Sequence, residues 1–291
     1  MLADHSGACR LLSVVQEPHG HGMLATLLFV LLIGADSLID DNVRDCAGAD
    51  LDQVLSACGQ IIDAMTHSTR RVAVAYFYRG RAQYIKHQPE QAIADFNDAL
   101  AIDPRFAEAF SERGSAYLSL HRVDLAISDC VQATQINPGN AAYRYNCGNA
   151  YWHGRQFDQA ISEYTEAIRL TPNFPLAYMN RGLAEADKGS TDVALNDLTE
   201  AIKLDASNTD ALYDRALLYE RLGKLTEAVD DFSAIVRARP TEPDAYKQRA
   251  DVQRVLGHLD EAIKDLRRAA ELDPLDSETQ AALHRLLGEA Q

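Results

Sequence analysis

Apolar residues along this chain recur at helical spacing. Ala160, Ile161, Tyr164, Ala167 and Ile168 fall at i, i+1, i+4, i+7 and i+8, which gathers them on one face of a helix. The pattern then repeats. Gly80, Gly114, Gly148, Gly182, Ala216 and Ala250 stand 34 residues apart, and so do Ala92, Ala126, Ala160, Ala194, Ala228 and Ala262. A third column holds Pro104, Pro138, Pro172, Pro240 and Pro274, broken only by Ala206. Three columns with one period over six copies predict an array of helical hairpins. Small residues let the two helices of a hairpin approach closely. Proline ends the second helix, because it lacks an N–H and restricts the residue before it.

These residues resemble the tetratricopeptide repeat (TPR) family, with a small residue at position 8, Ala at 20 and Pro at 32 of each repeat. The repeats run 73–106, 107–140, 141–174, 175–208, 209–242 and 243–276, about 70% of the chain. Tyr117, Tyr151 and Tyr219 fill position 11, and Phe96, Tyr164 and Phe232 fill position 24. Ala99, Ala133, Ala167, Ala201 and Ala269 fill position 27, where Ile235 departs. The resemblance implies an all-α solenoid: antiparallel helix pairs stacked into a right-handed superhelix with a concave groove.

Such a stack needs capped ends. Residues 277–291 read as a C-terminal capping helix, opened by the capping-box pattern Ser277-Glu278-Thr279-Gln280 and carrying Leu283, Leu286 and Leu287 on one side. Residues 36–72 read as an N-terminal extension with a capping helix from Asp50 to about Ala64, where Leu55, Cys58, Ile62 and Met65 continue the repeat backward.

Charge follows the same period. Arg79, Arg113, Arg181, Arg215 and Arg249 occupy position 7, and Asp95, Asp129, Glu163, Asp197, Asp231 and Asp265 occupy position 23. The two columns predict ion pairs between helices that fix their stacking register. Repeat three breaks the arginine column with Cys147.

Residues 1–35 form a leader. Met23–Gly34 is twelve residues long and uncharged, too short for a spanning helix but suited to the apolar core of a secretory signal with Ala35 at the cleavage site. The alternatives are a buried N-terminal helix in a cytoplasmic protein, or an uncleaved membrane anchor through 23–34; Met1 and Met23 are both candidate starts. Export to a bacterial periplasm or envelope would let Cys46 and Cys58 pair and tie the extension to the first helix. The pair ahead of Ala75-Tyr76-Phe77-Tyr78-Arg79-Gly80 also resembles bacterial exported TPR proteins. Cys130 and Cys147 sit at packing positions and read as small buried hydrophobes.

The net charge of −15 sets nucleic acid aside and favours neutral to basic partners. No Walker loop, CxxC pair or HExxH appears, and His19-Gly20-His21 lacks further ligands for a metal. The reading is therefore no enzyme and no cofactor, and a binding scaffold whose groove takes a protein or peptide. The resemblance implies that the first helix of each repeat lines that groove. Tyr145, Trp152, Met179 and Tyr213 are candidates for side-chain contacts. Asn146, Asn149 and Asn180 are candidates for holding an extended backbone. Asp214, with Asp210, argues against a clamp for a C-terminal carboxylate. A self-associating assembly protein and a non-catalytic accessory subunit of an envelope complex are the alternatives.

Overall fold

The computed structural model describes residues 45–64 and 69–289. The leader 1–35, its apolar segment 23–34, the disputed start and Met65 lie outside the described residues. Among those described, every element is a helix. They are α1 (Leu51–Ala64), α2 (Arg70–Ile85), α3 (Pro89–Ile102), α4 (Ala107–Ser119), α5 (Val123–Ile136), α6 (Ala141–His153), α7 (Phe157–Leu170), α8 (Pro175–Lys188), α9 (Thr191–Leu204), α10 (Thr209–Arg221), α11 (Leu225–Ala238), α12 (Pro243–Val255), α13 (Leu259–Leu272) and α14 (Ser277–Glu289). None is long and apolar enough to cross a membrane. The described residues divide into two compact bodies, an N-terminal one up to 156 and a C-terminal one from 157. The boundary falls in the turn of the third repeat.

In each body, consecutive helices pack as antiparallel hairpins, and the alanine column is their seam. Ala92, Ala126, Ala194, Ala228 and Ala262 have no exposed surface. At Gly80 the approach is closest: a Cβ there would stand 2.9 Å from Cε1 of Phe96 and 3.1 Å from the carbonyl oxygen of Ala92, so any side chain would push the hairpin open.

The second helices stop where the proline column predicts, and the stop does not depend on proline. In the repeat that carries Ala206, α9 ends at Leu204 and Asp205 Oδ1 accepts from the Ser207 N–H at 3.0 Å. Asp103 and Asp273 make the same turn with Arg105 and Leu275. A short carboxylate that takes an N–H two residues on competes with helix continuation, so the aspartate suffices.

The turn within each hairpin follows a rule that proline and glycine alone do not reveal. Position 15 has positive φ in all six repeats: His87 (59°), His121 (55°), Arg155 (55°), Gly189 (94°), Gly223 (71°) and Gly257 (81°). Glycine meets this geometry without strain. The three side-chain-bearing residues each hold a left-handed conformation that costs about 1–2 kcal/mol, which the packed hairpin on either side must hold in place.

The first and last helices each lay an apolar side on the helix beside them. In α1, Val54, Ala57, Cys58 and Ile61 are buried against Ala75 and Ala82 of α2, with Leu55 and Ile62 at the margin. The Asp50 carboxylate accepts from the N–H groups of Asp52 and Gln53, both at 3.0 Å. In α14, Leu286 is buried on Ala262, Ile263 and Leu266 of α13, flanked by Leu283 and Leu287. The cap is Asp276, not the Ser277 of the expected capping box. Asp276 Oδ1 accepts from the N–H groups of Glu278 and Thr279 at 3.0 and 3.2 Å, and its Oδ2 accepts from the Thr279 hydroxyl at 2.7 Å. Asp276 holds the position before the first helical residue, where a carboxylate takes three donors and is favoured by the helix dipole, whereas Ser277 already lies inside the helix.

Candidate functional site

The charged columns define the framework on which any binding face is mounted. Each arginine at position 7 grips the aspartate of its own repeat with two bonds. Arg79–Asp95, Arg113–Asp129, Arg181–Asp197, Arg215–Asp231 and Arg249–Asp265 all close at 2.6–2.8 Å. The remaining guanidinium nitrogen reaches back to position 25 of the preceding repeat. Asn97 Oδ1 accepts from Arg113 at 2.6 Å, and the hydroxyls of Thr165, Thr199 and Ser233 accept from Arg181, Arg215 and Arg249 at 3.0–3.1 Å. Aromatic rings cover the guanidinium carbons at 5.4–5.8 Å: Tyr76, Phe110, Tyr117, Tyr178, Tyr219 and Tyr246. One planar, five-donor group therefore joins two helices of one repeat to the helix before it, which a lysine would not do. The predicted ion pairs are present and are buried on the carboxylate side, where each aspartate is 3–5% exposed.

In the N-terminal body the first helices α2, α4 and α6 present a face whose polar groups largely satisfy one another. The Tyr84 hydroxyl donates to the Ser115 carbonyl oxygen at 3.3 Å, and the Asn146 amide donates to the Ser111 hydroxyl at 2.9 Å. Arg81 stands 3.8 Å from the Glu112 carboxylate. Burial pushes the Glu112 carboxyl up and Arg81 opposes it; burial and the Glu112 charge push the Tyr84 phenol up to about 12. Trp152 meets His153 edge to face at 5.1 Å, and burial holds the His153 imidazole below its ordinary range, with His121 adding to the effect.

In the C-terminal body the corresponding helices are α8, α10 and α12. The Asn208 amide lies 3.8 Å from the Met179 sulfur, and Tyr213 packs edge to face on Phe232 at 5.8 Å. Lys247 spans two carboxylates, Asp244 at 2.7 Å and Asp276 at 3.2 Å. Asp214 differs. Its carboxyl is pushed up to about 7, first by loss of water and then by the charge of Asp210, with Arg221 only partly offsetting them.

The eight expected groove residues thus separate into two sets. Tyr145 is 4% exposed and Asn180 is 6% exposed, so neither presents a surface to a peptide. The physical reason is clear for position 5 in the N-terminal body: Phe77, Ser111 and Tyr145 are all buried there, because neighbouring first helices touch along that line. Asn146, Asn149, Trp152, Met179, Tyr213 and Asp214 are half-buried. Asp210 is too, and its effect on Asp214 was not foreseen from sequence. Position numbering tells which side of a helix a residue occupies but not how near the next helix lies.

Two disulfides complete the N-terminal body. Cys46 bonds Cys58, fastening the segment before α1 to α1 itself. Cys130 of α5 bonds Cys147 of α6. These two cysteines are buried as expected, but they are bonded, not merely packed, because positions 24 and 7 of successive repeats face each other.

Models described as tetratricopeptide repeats match residues 73–106, 156–189, 180–243 and 243–276. No curated protein matches the chain. Among solved structures, a tetratricopeptide repeat protein from Parabacteroides merdae shares the fold at TM-score 0.63 and 16% identity, over 86% of this chain and 97% of that one. PilW, a type IV pilus biogenesis factor, does so at TM-score 0.65 and 22% identity, over 73% and 98%. YrrB, described as having an unusual peptide-binding site, does so at TM-score 0.51 and 19% identity, over 64% and 96%. Hairpins seamed by alanine, the 34-residue step of the arginine junctions and the matching family models lead to one assignment: the chain belongs to the tetratricopeptide repeat family.

Proposed function

We propose that this chain is an exported interaction scaffold, not an enzyme, and that it holds a lysine- or arginine-bearing segment of a partner protein against the first helices of its repeats. The observation that carries the charge preference is the pair Asp210 and Asp214 on α10. Asp214 has lost much of its water and gains little from Arg221. An arriving cation would relieve the repulsion between the two carboxylates. Asp244 of α12 adds negative charge beside Tyr213, whose ring would cover an aliphatic stem. On the N-terminal body's own face, the half-buried Asn149 and Trp152 would offer a separate contact.

A labelled lysine-rich peptide and a glutamate-rich one, compared by fluorescence polarisation, test this reading. The wild type should prefer the basic peptide. Asp210→Asn with Asp214→Asn should remove most of that preference, about tenfold in affinity for two partly desolvated charges. Basic-peptide binding should also strengthen as pH rises through about 7, where Asp214 ionises. Equal binding of both peptides, or by wild type and variant alike, sinks the proposal. A stability control separates binding from folding. A carboxyl raised from 3.8 to about 7 contributes its stability below the lower value and loses it as pH rises to the upper one. Asp214→Asn should therefore gain on wild type across that window, so weaker binding would not reflect unfolding.

Export rests on the two disulfides, which persist in oxidising compartments, together with the signal-like segment 23–34. Sequencing the mature N-terminus should find it just after Ala35; a mature chain that begins at Met1 or Met23 and carries Cys46 and Cys58 as open thiols contradicts the export half.

A further inference from the structure

The junction between the second and third repeats departs from the pattern of the other junctions within a body at four linked positions. Elsewhere an arginine at position 7 reaches a polar acceptor at position 25 of the preceding repeat: Asn97, Thr165, Thr199 or Ser233. At this junction position 7 is Cys147 and position 25 is Val131, which has no acceptor to offer. Position 24, elsewhere Phe96, Tyr164, Leu198, Phe232 or Leu266, is Cys130. Position 4, an aromatic that covers the guanidinium in repeats one, two, four and six, is Arg144. Arginine, acceptor and position-4 ring are thus replaced where the Cys130–Cys147 bond is present, while Tyr151 keeps the ring at position 11.

We propose that this disulfide stands in for the guanidinium junction, so that the N-terminal body reaches full stability only once it is oxidised. Two thiols and one low-molecular-weight disulfide give the protein disulfide and two released thiols; the protein loses two electrons and two protons, which the oxidant takes up. Reduction leaves positions 24, 25 and 7 of this junction with neither a covalent bond nor a guanidinium fork, so that weaker contacts such as the Asn146–Ser111 hydrogen bond hold the two repeats together. The C-terminal body keeps its arginine junctions and contains no cysteine, so it does not respond. The proposal is independent of what the scaffold binds, and it is tested on purified protein, apart from the question of export.

The single tryptophan, Trp152, lies on α6 with Cys147, so its fluorescence reports the N-terminal body. In full-length chain carrying Cys9→Ala, Cys46→Ala and Cys58→Ala, the Cys130–Cys147 pair is the only source of a disulfide. Mass spectrometry after alkylation should find it closed in a glutathione redox buffer. Closing a loop with a sequence separation of 17 constrains the unfolded chain, so a dithiol reductant should lower the fluorescence melting midpoint by roughly 10 °C. The part of the helical signal that melts with the C-terminal body should stay in place. A second variant restores the neighbouring pattern: Cys130→Leu, Val131→Thr, Arg144→Tyr and Cys147→Arg, in the same background. It should melt above the reduced parent and ignore reductant. Thiols that remain open under oxidising conditions, a midpoint unchanged by verified reduction, or a restored variant that melts below the reduced parent would each overturn the proposal.

Discussion

Asp231→Ala should destabilise the C-terminal body by about 3 kcal/mol, among the largest single-residue losses expected in this chain. The carboxylate is 5% exposed and takes two bonds from Arg215, at 2.7 and 2.8 Å. Removing it strands a guanidinium whose side chain is only 16% exposed, and an uncompensated charge costs more than the pair contributes. The same logic gives a second, opposite result. Arg215→Met combined with Asp231→Leu removes both charges and should fall within about 1 kcal/mol of wild type. Thr199 stays satisfied in that variant, because its hydroxyl also donates to the Leu195 carbonyl oxygen at 2.7 Å. Urea unfolding followed by circular dichroism compares wild type with the two variants. Equal losses in the single and double variants would mean that the junction stabilises by packing and not by charge pairing.

Phe96→Ala should cost the N-terminal body about 3–5 kcal/mol, the range for emptying the site of a fully buried aromatic ring. Phe96 has no exposed surface, its ring centroid lies 6.0 Å from that of Phe77, and its edge fills the space that the missing side chain of Gly80 leaves. Those neighbours belong to α2 and cannot all close on the void. The tie to Gly80 supplies an internal check. Gly80→Ala should destabilise the wild type, since its methyl would sit 2.9 Å from the ring, yet cost clearly less once the ring is gone and only the 3.1 Å approach to the Ala92 carbonyl oxygen remains. Trp152 fluorescence reads both variants; additive losses would show that the ring and the glycine do not share one space.

The hairpin seam and the ion pairs were legible because each relies on residue types that chemistry restricts: Ala92 where only a methyl fits, Arg215 and Asp231 where a fork meets a carboxylate. The hairpin turn was not, because His87, His121 and Arg155 give no outward sign of a left-handed backbone. Cys130 and Cys147 were half legible. Burial followed from their columns, while pairing depends on two repeats facing each other across a register the period alone does not state. Tyr145 and Asn180 misled for a related reason. Helix face is a local property, but exposure depends on neighbours 34 residues away. Asp214 shows the converse: among 43 acidic residues nothing but its surroundings marks it out.

The arginine junction also determines where this chain tolerates being recut. Repeats four and five offer the next arginine the same kind of acceptor, a hydroxyl at Thr199 or Ser233, so deleting or duplicating one of them whole rejoins compatible surfaces. Repeats two and three are inherited as a pair: splitting them leaves an orphan thiol on each side and a valine where the incoming arginine seeks oxygen. Shuffling by recombination is thus free toward the C-terminus and locked near the middle, and a library of lengthened or shortened forms should recover crossovers accordingly.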